Sequence, residues 1–207
     1  SDDAGGLAVS MKLKASINRM QGVANNIQNA VSYLDVQDGV LQGAASIVSR
    51  MAELKSLSQD VLKNSSDIAN YNTEFKNLQV QLYQISQEKF NGVSLFAIKA
   101  TGGGSNAVFG GGNTADNTVS IYTTENGASG PIVSLSKAAL LSALTFSSTD
   151  ATTNLAYGAS GKTLAASSGA NSVDLSTLTV SFFTQAIENI ASLRAENGGA
   201  VSRLNFA

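Results

Sequence analysis

Residues 13–54 read LKASINRMQGVANNIQNAVSYLDVQDGVLQGAASIVSRMAEL. Leu13, Ile17, Met20, Ala24, Ile27, Val31 and Leu34 follow one another by four and three residues in turn. The register runs on through Asp38 to Leu41, Ala45 and Val48. A seven-residue apolar repeat of this kind is the mark of helices packed along their length. A second stripe holds Tyr33, Val40, Ala44, Ile47, Met51 and Leu54, so the later half is apolar on two flanks and is expected to have neighbours on both. Asp38 is the one charge in the first stripe; it belongs either at the stripe's edge or in a contact between subunits. No Pro interrupts the pattern, since the only one in the chain is Pro131. A helix from about Asp3 to about Leu62 is ~90 Å long at 1.5 Å per residue. A compact globule of 207 residues does not hold such an element, so the pattern predicts a rod.

Working outward, KNSSD (63–67) ends this helix, with Asn64 as an expected left-handed cap and Ser66 as an expected N-cap of the next. Ile68, Tyr71, Phe75, Leu78, Leu82 and Ile85 then repeat the helical spacing. In KFNGVSLF (89–96) the period changes, and Asn91-Gly92 is a strong turn signal. Helical spacing returns with Ser176 as expected N-cap and a stripe of Val180, Phe183, Ile187, Ile190, Val201 and Leu204. Gly198 and Gly199 lie inside it, which predicts a bend or a close helix approach. Both ends of the chain fall inside helical patterns, so the helices are expected to continue beyond Ser1 and Ala207.

Residues 99–173 differ in kind. They are rich in Gly, Ser, Thr and Asn, and predict a small α+β insertion with its own modest core. Two short strands flank Asn126-Gly127, and Ser136 caps a short helix in SKAALLSAL (136–144). Phe109, Tyr122, Phe146 and Tyr157 are the ring-bearing residues of that expected core. Tyr122 and Tyr157 are also candidate glycan-stacking residues.

Composition excludes much chemistry. The chain has no Cys, His or Trp. That removes disulfides, zinc sites built on His or Cys, and Ser-His-Asp or Cys-His catalysis. The Gly runs lack the strand and Lys-Ser/Thr of a phosphate loop, and Asp116-Asn117 lacks the twelve-residue calcium pattern. No catalytic, cofactor or metal residue is assigned, and an enzyme is not expected. A net charge of −2 gives no broad attraction to nucleic acid. No apolar run reaches the ~18 residues of a membrane span.

Four stretches together resemble one family. SDDAGGLAVS (1–10) is similar to the ADDAAGLAIS stretch of bacterial flagellins. Residues 25–54 resemble the flagellin segment that ends in RMRELA, EKFNGVSLF (88–96) resembles the TxFNGxxLL turn, and 173–204 resembles the carboxyl segment with AIxxVxxxRA. Asn197-Gly198-Gly199 departs from the usual Leu-Gly-Ala. The resemblance implies a mainly α fold: an elongated bundle of three long helices with a β-hairpin, plus the small α+β insertion. Residues 1–98 and 174–207 form the discontinuous rod, and 99–173 the hypervariable insertion. It implies a truncated core of a secreted structural subunit of the bacterial flagellar filament, working in motility at the cell surface. Implied partners are other flagellin subunits, export and assembly chaperones, and a host Toll-like receptor. Arg50 and Leu54, four residues apart, with Glu74 on the next helix, are the candidate receptor or subunit contact. The alternative is a flagellin-like cell-surface protein whose insertion binds extracellular polysaccharide.

Overall fold

The computed structural model of the chain describes residues 2–98, 106–110 and 118–207. The Gly102–Gly104 run and Asp116-Asn117 lie outside the described residues.

Helix α1 spans Asp2–Ser58, 57 residues without a break. At 1.5 Å per residue that is ~85 Å. It stops four residues short of the expected end, in a turn closed by backbone bonds such as Gln59 N–H to Ser56 O at 3.2 Å. Asn64 is not left-handed: with φ −85° and ψ 172° it is the N-cap of α2, Ser65–Ser86. Its side chain accepts from the Asp67 N–H at 2.9 Å, and the Asp67 carboxylate accepts from the Asn64 N–H at 3.4 Å. This reciprocal capping box displaces the cap expected at Ser66, which lies within the helix.

Strands β1 (Lys89–Phe90) and β2 (Val93–Ser94) form the expected antiparallel hairpin. Asn91 (φ 49°) and Gly92 (φ 79°) both take positive φ, as a type I′ turn requires. Strands β3 (Thr118–Tyr122) and β4 (Ile132–Ser136) pair antiparallel around the Asn126-Gly127 turn, with Val119 opposite Leu135. Ser136 is therefore the last residue of a strand and not a helix cap. The short helix α3 is only Leu140–Ala143 and begins at Ala139 without a side-chain cap. Strands β5 (Thr145–Phe146) and β6 (Lys162–Thr163) make a third two-stranded sheet. A 3-10 turn at Leu175–Thr177 takes up Ser176, so α4 starts later than expected and spans Val180–Asn205.

Helix α4 runs antiparallel to α1. Lys55 reaches the Leu175 carbonyl, Arg194 meets Asp38, and Asn197 meets Leu34. The seam along the later part of α1 holds Ala30, Leu34, Gln37, Leu41, Ala44, Val48 and Met51, all buried. Phe75 of α2 meets Phe183 of α4 edge to face at 5.9 Å.

The expected separate core of the insertion is not formed. Leu135, Leu140, Leu141, Phe146 and Leu164 belong to the same buried cluster as the rod helices. Phe146 meets Phe182 of α4 edge to face at 5.7 Å, and Tyr157 lies against Tyr83 of α2. Buried side-chain amides fasten the two parts. Gln79 donates to the Val173 carbonyl at 2.9 Å and accepts from the Val173 N–H at 3.0 Å. Asn189 donates to the Ala143 carbonyl at 3.0 Å. Nothing stands within 4 Å of a Cβ placed at Gly198 or Gly199, so the expected close helix approach there is absent.

Candidate functional site

Helix α1 carries two surfaces of interest, one polar and one apolar. The polar one is built on Arg50. Its Nε donates to Glu74 Oε1 at 2.8 Å and its Nη2 to Glu74 Oε2 at 3.1 Å, a two-pronged pairing across α1 and α2. Nη1 lies 2.9 Å from Glu53 Oε1, one helical turn on. The Glu74 carboxylate first, then Glu53, holds the Arg50 guanidinium above its ordinary pKa. Arg50 and Glu74 are thus brought together and remain well exposed. Leu54 is not brought to them: it is 0% exposed, within the core cluster, and offers no surface for a contact. Its place in the second apolar stripe is what points it inward.

Glu53 is absent from the candidates read from sequence, although its position three residues after Arg50 is the spacing of a helical ion pair. Asp38 sits at the edge of the seam, where its carboxylate accepts from Arg194 Nε at 2.9 Å and Nη2 at 3.4 Å. Between these ion pairs runs an open groove of about 570 Å³, floored by the small side chains Ala45, Ser46 and Ser49.

The apolar surface is the first part of α1. Leu13, Ile17 and Met20 are 60%, 54% and 59% exposed. The turn of the β3–β4 hairpin reaches this region through Glu125, which accepts from Ser16 and faces Arg19 at 3.6 Å. The carboxyl end of α4 reaches α1 near Ala24 and Ile27, where Ala207 shares a cleft with them.

The two candidate sugar-stacking rings fare differently. Tyr157 packs against Tyr83 at 6.0 Å between ring centroids, so its ring is already partnered. Tyr122 is 41% exposed at the mouth of a cleft formed with Tyr33, Phe90 and Asn29. Among the described residues no three His, Cys, Asp or Glu side chains cluster to hold a metal, and no helix is long and apolar enough to cross a membrane.

A rod of long helices with a β-hairpin beside the middle of α1, an inserted lobe and an exposed apolar helix face defines a class of elongated helical proteins. Residues 1–101 match the family model of the bacterial flagellin N-terminal helical region. The flagellar filament 31.3 kDa core protein of Treponema maltophilum is 32% identical over 105 residues, which are 49% of this chain and 37% of that protein. Flagellin FlaB2 of Treponema pallidum is 28% identical over 109 residues, 52% of this chain and 38% of that one. The crystal structure of Bacillus cereus flagellin has the same fold, with a TM-score of 0.58 and 24% identity over 87% of this chain and 85% of that one. Over its first 101 residues the chain is thus similar to the N-terminal helical region of bacterial flagellins. It spans less than two-fifths of the length of these curated relatives.

Proposed function

We propose that this chain is a structural subunit of the bacterial flagellar filament, exported to the cell exterior and assembled there with further copies of itself. The observation that carries the reading is the exposed stripe of Leu13, Ile17 and Met20. It continues the spacing of the buried seam, so it is shaped to pack lengthwise on another helix. The discontinuous rod of 1–98 and 174–207 is the assembling part of the subunit, and 99–173 is the lobe carried on it.

The test is Ile17→Asp, placed in the bacterial gene that encodes this chain. An unpaired carboxylate buried at a helix contact is strongly disfavoured. Normal secretion with loss of filaments and motility is the expected result. Motile cells with filaments of ordinary length would overturn the reading. Within the same reading, Arg50 and Glu74 form the polar contact toward a neighbouring subunit or a host receptor. Arg50→Ala removes the guanidinium and leaves Glu74 unpaired on this surface, and is expected to weaken one of these contacts at least tenfold.

A further inference from the structure

The chain has five Tyr and no Trp, His or Cys. One-electron oxidation therefore falls on phenols. Tyr33 is buried and donates its hydroxyl to the Ser94 carbonyl at 2.8 Å. Its ring neighbour is Phe90, not another phenol. Tyr71 is half-buried and Tyr122 exposed, and neither is in a ring pair among the described residues. Tyr83 and Tyr157 alone among them form a tyrosine–tyrosine pair. Their centroids are 6.0 Å apart and their planes 33° from parallel, within the range of aromatic contact. Both are half-buried, so each is held in place and still reachable by a small oxidant.

The pair joins two parts of the molecule. Tyr83 is near the end of α2, which is fixed by buried Gln79 and Leu82. Tyr157 lies in the connection between β5 and β6, where its backbone carbonyl accepts from Asn106 Nδ2 at 2.7 Å. Burial pushes the Tyr157 phenol's pKa up, with Tyr83 as a second cause, so the Tyr157 phenol keeps its proton at neutral pH.

We propose that Tyr83 and Tyr157 are an intramolecular cross-linking site, at which a one-electron oxidant joins the two phenols as dityrosine. Each phenol gives one electron to the oxidant and its hydroxyl proton to water. The two radicals couple through ring carbons next to the hydroxyl-bearing carbon, forming one carbon–carbon bond. The hydrogen on each coupled carbon then moves to its own oxygen and restores the aromatic rings. The net change is the loss of two hydrogen atoms, taken as two protons and two electrons. The product staples the inserted lobe to the rod and closes the segment between residues 83 and 157 into a covalent loop. Closing so long a loop restricts the unfolded chain.

The experiment is brief photo-oxidation of the dilute 207-residue chain with a ruthenium tris-bipyridyl complex and persulfate. Blue dityrosine fluorescence on a monomeric band is expected, with a linked peptide pair containing Tyr83 and Tyr157. Tyr83→Phe and Tyr157→Phe keep the ring packing and should each abolish the signal, whereas Tyr122→Phe should leave it unchanged. The cross-linked protein should melt several degrees higher than the untreated chain. Oxidation of exposed Met11 and Met20 adds oxygen, so mass separates it from the cross-link. Fluorescence that survives Tyr83→Phe, linkage found only between molecules, or no dityrosine at all would overturn the assignment.

Discussion

The two halves of α1 carry the same kind of apolar repeat and meet different fates. From Ala30 to Leu54 the repeat is buried against α2 and α4, and Leu41, Val48 and Met51 have no exposed surface. From Leu7 to Met20 the same spacing stands open, with every large apolar side chain more than half exposed. The difference is supplied by the partner and not by the helix itself. Apolar periodicity states that a helix packs lengthwise. It does not state whether the partner belongs to the same molecule; here the buried part of the repeat is the part that α4 lies along, down to the cleft that Ala207 shares with Ala24 and Ile27.

The sharpest way to break this comparison is to delete a large side chain from each surface. Phe75→Ala removes a ring that is wholly buried between α2 and α4. A cost of about 3–5 kcal/mol is expected for such a truncation. Ile17→Ala is expected to change stability by less than about 0.5 kcal/mol in the isolated chain. Urea unfolding of both variants checks this. A cost above about 2 kcal/mol for Ile17→Ala in a monomeric sample would show that the open stripe is already covered.

A second comparison sets the rod against the lobe. If they unfold as one body, a fastening between them should affect the whole transition. Asn189 is buried, donates to the Ala143 carbonyl and to Asn154 Oδ1 at 3.1 Å, and accepts from Gln185. Asn189→Ala leaves the carbonyl and the Asn154 amide oxygen short of a donor, at a cost of about 1–3 kcal/mol. Far-UV circular dichroism and intrinsic tyrosine fluorescence should shift together. Amide exchange that speeds up only within residues 118–164, with helix melting unchanged, would separate the lobe from the rod.

How much of this was legible follows from the range of each interaction. The helices and the Asn91-Gly92 turn are readable because their causes lie within a few residues. The first cap of α2 is also local: Asn64 followed by Asp67 is a capping box, masked in the sequence because Asn serves at both ends of helices. Leu54 is misplaced by the family resemblance, which points it outward where its own stripe points it inward. The lobe's attachment was not legible. Phe146 against Phe182, and Gln79 gripping the Val173 backbone, join residues 36 and 94 positions apart that carry no shared pattern. The expectation of a separate core came from the change in composition, which reports a change of surface more than a change of core.

Lys55 tests the buried half from a different side. It is only 8% exposed, and its Nζ donates to the Leu175 carbonyl at 3.2 Å, with no carboxylate in ion-pair range among the described residues. Burial lowers its pKa. The folded chain therefore sheds this proton more readily than the unfolded one, whose Lys titrates at about 10.4. The sign is that stability rises as pH climbs through the folded value toward the unfolded one, and is lost again as pH falls. Lys55→Met removes the buried cation and is expected to stabilise the chain by about 1 kcal/mol at neutral pH. Tyr33 acts oppositely at higher pH. Burial pushes its phenol up to about 12, so stability falls as pH rises above the unfolded value of about 10. Melting curves of wild type and Lys55→Met across this range cancel the Tyr33 contribution in their difference. A difference that does not shrink with rising pH would mean that Lys55 carries no burial penalty.

The finest probe of the two regions uses glycine in each. Gly5 lies in the open part of α1, Gly198 in the part of α4 packed on the seam, and a Cβ added at either position meets no atom within 4 Å. Both have helical backbone, and neither has the positive φ that would strain an L side chain. By intrinsic propensity each Gly→Ala change favours the helix by about 1 kcal/mol. The two should nonetheless read out differently. Gly198→Ala acts within the cooperative body, between buried Asn197 and Ala200, so its gain should appear in the global transition as a melting-temperature rise of about 2–4 °C. Gly5→Ala acts where, among the described residues, no atom of another element approaches the added Cβ. Helix ends of this kind open without unfolding the remainder. Its gain should appear as slower amide hydrogen exchange over the first turns of α1, with the melting temperature unchanged. Equal rises in melting temperature would show that the open end unfolds together with the core, and the contrast between the two halves of α1 would then be one of exposure alone.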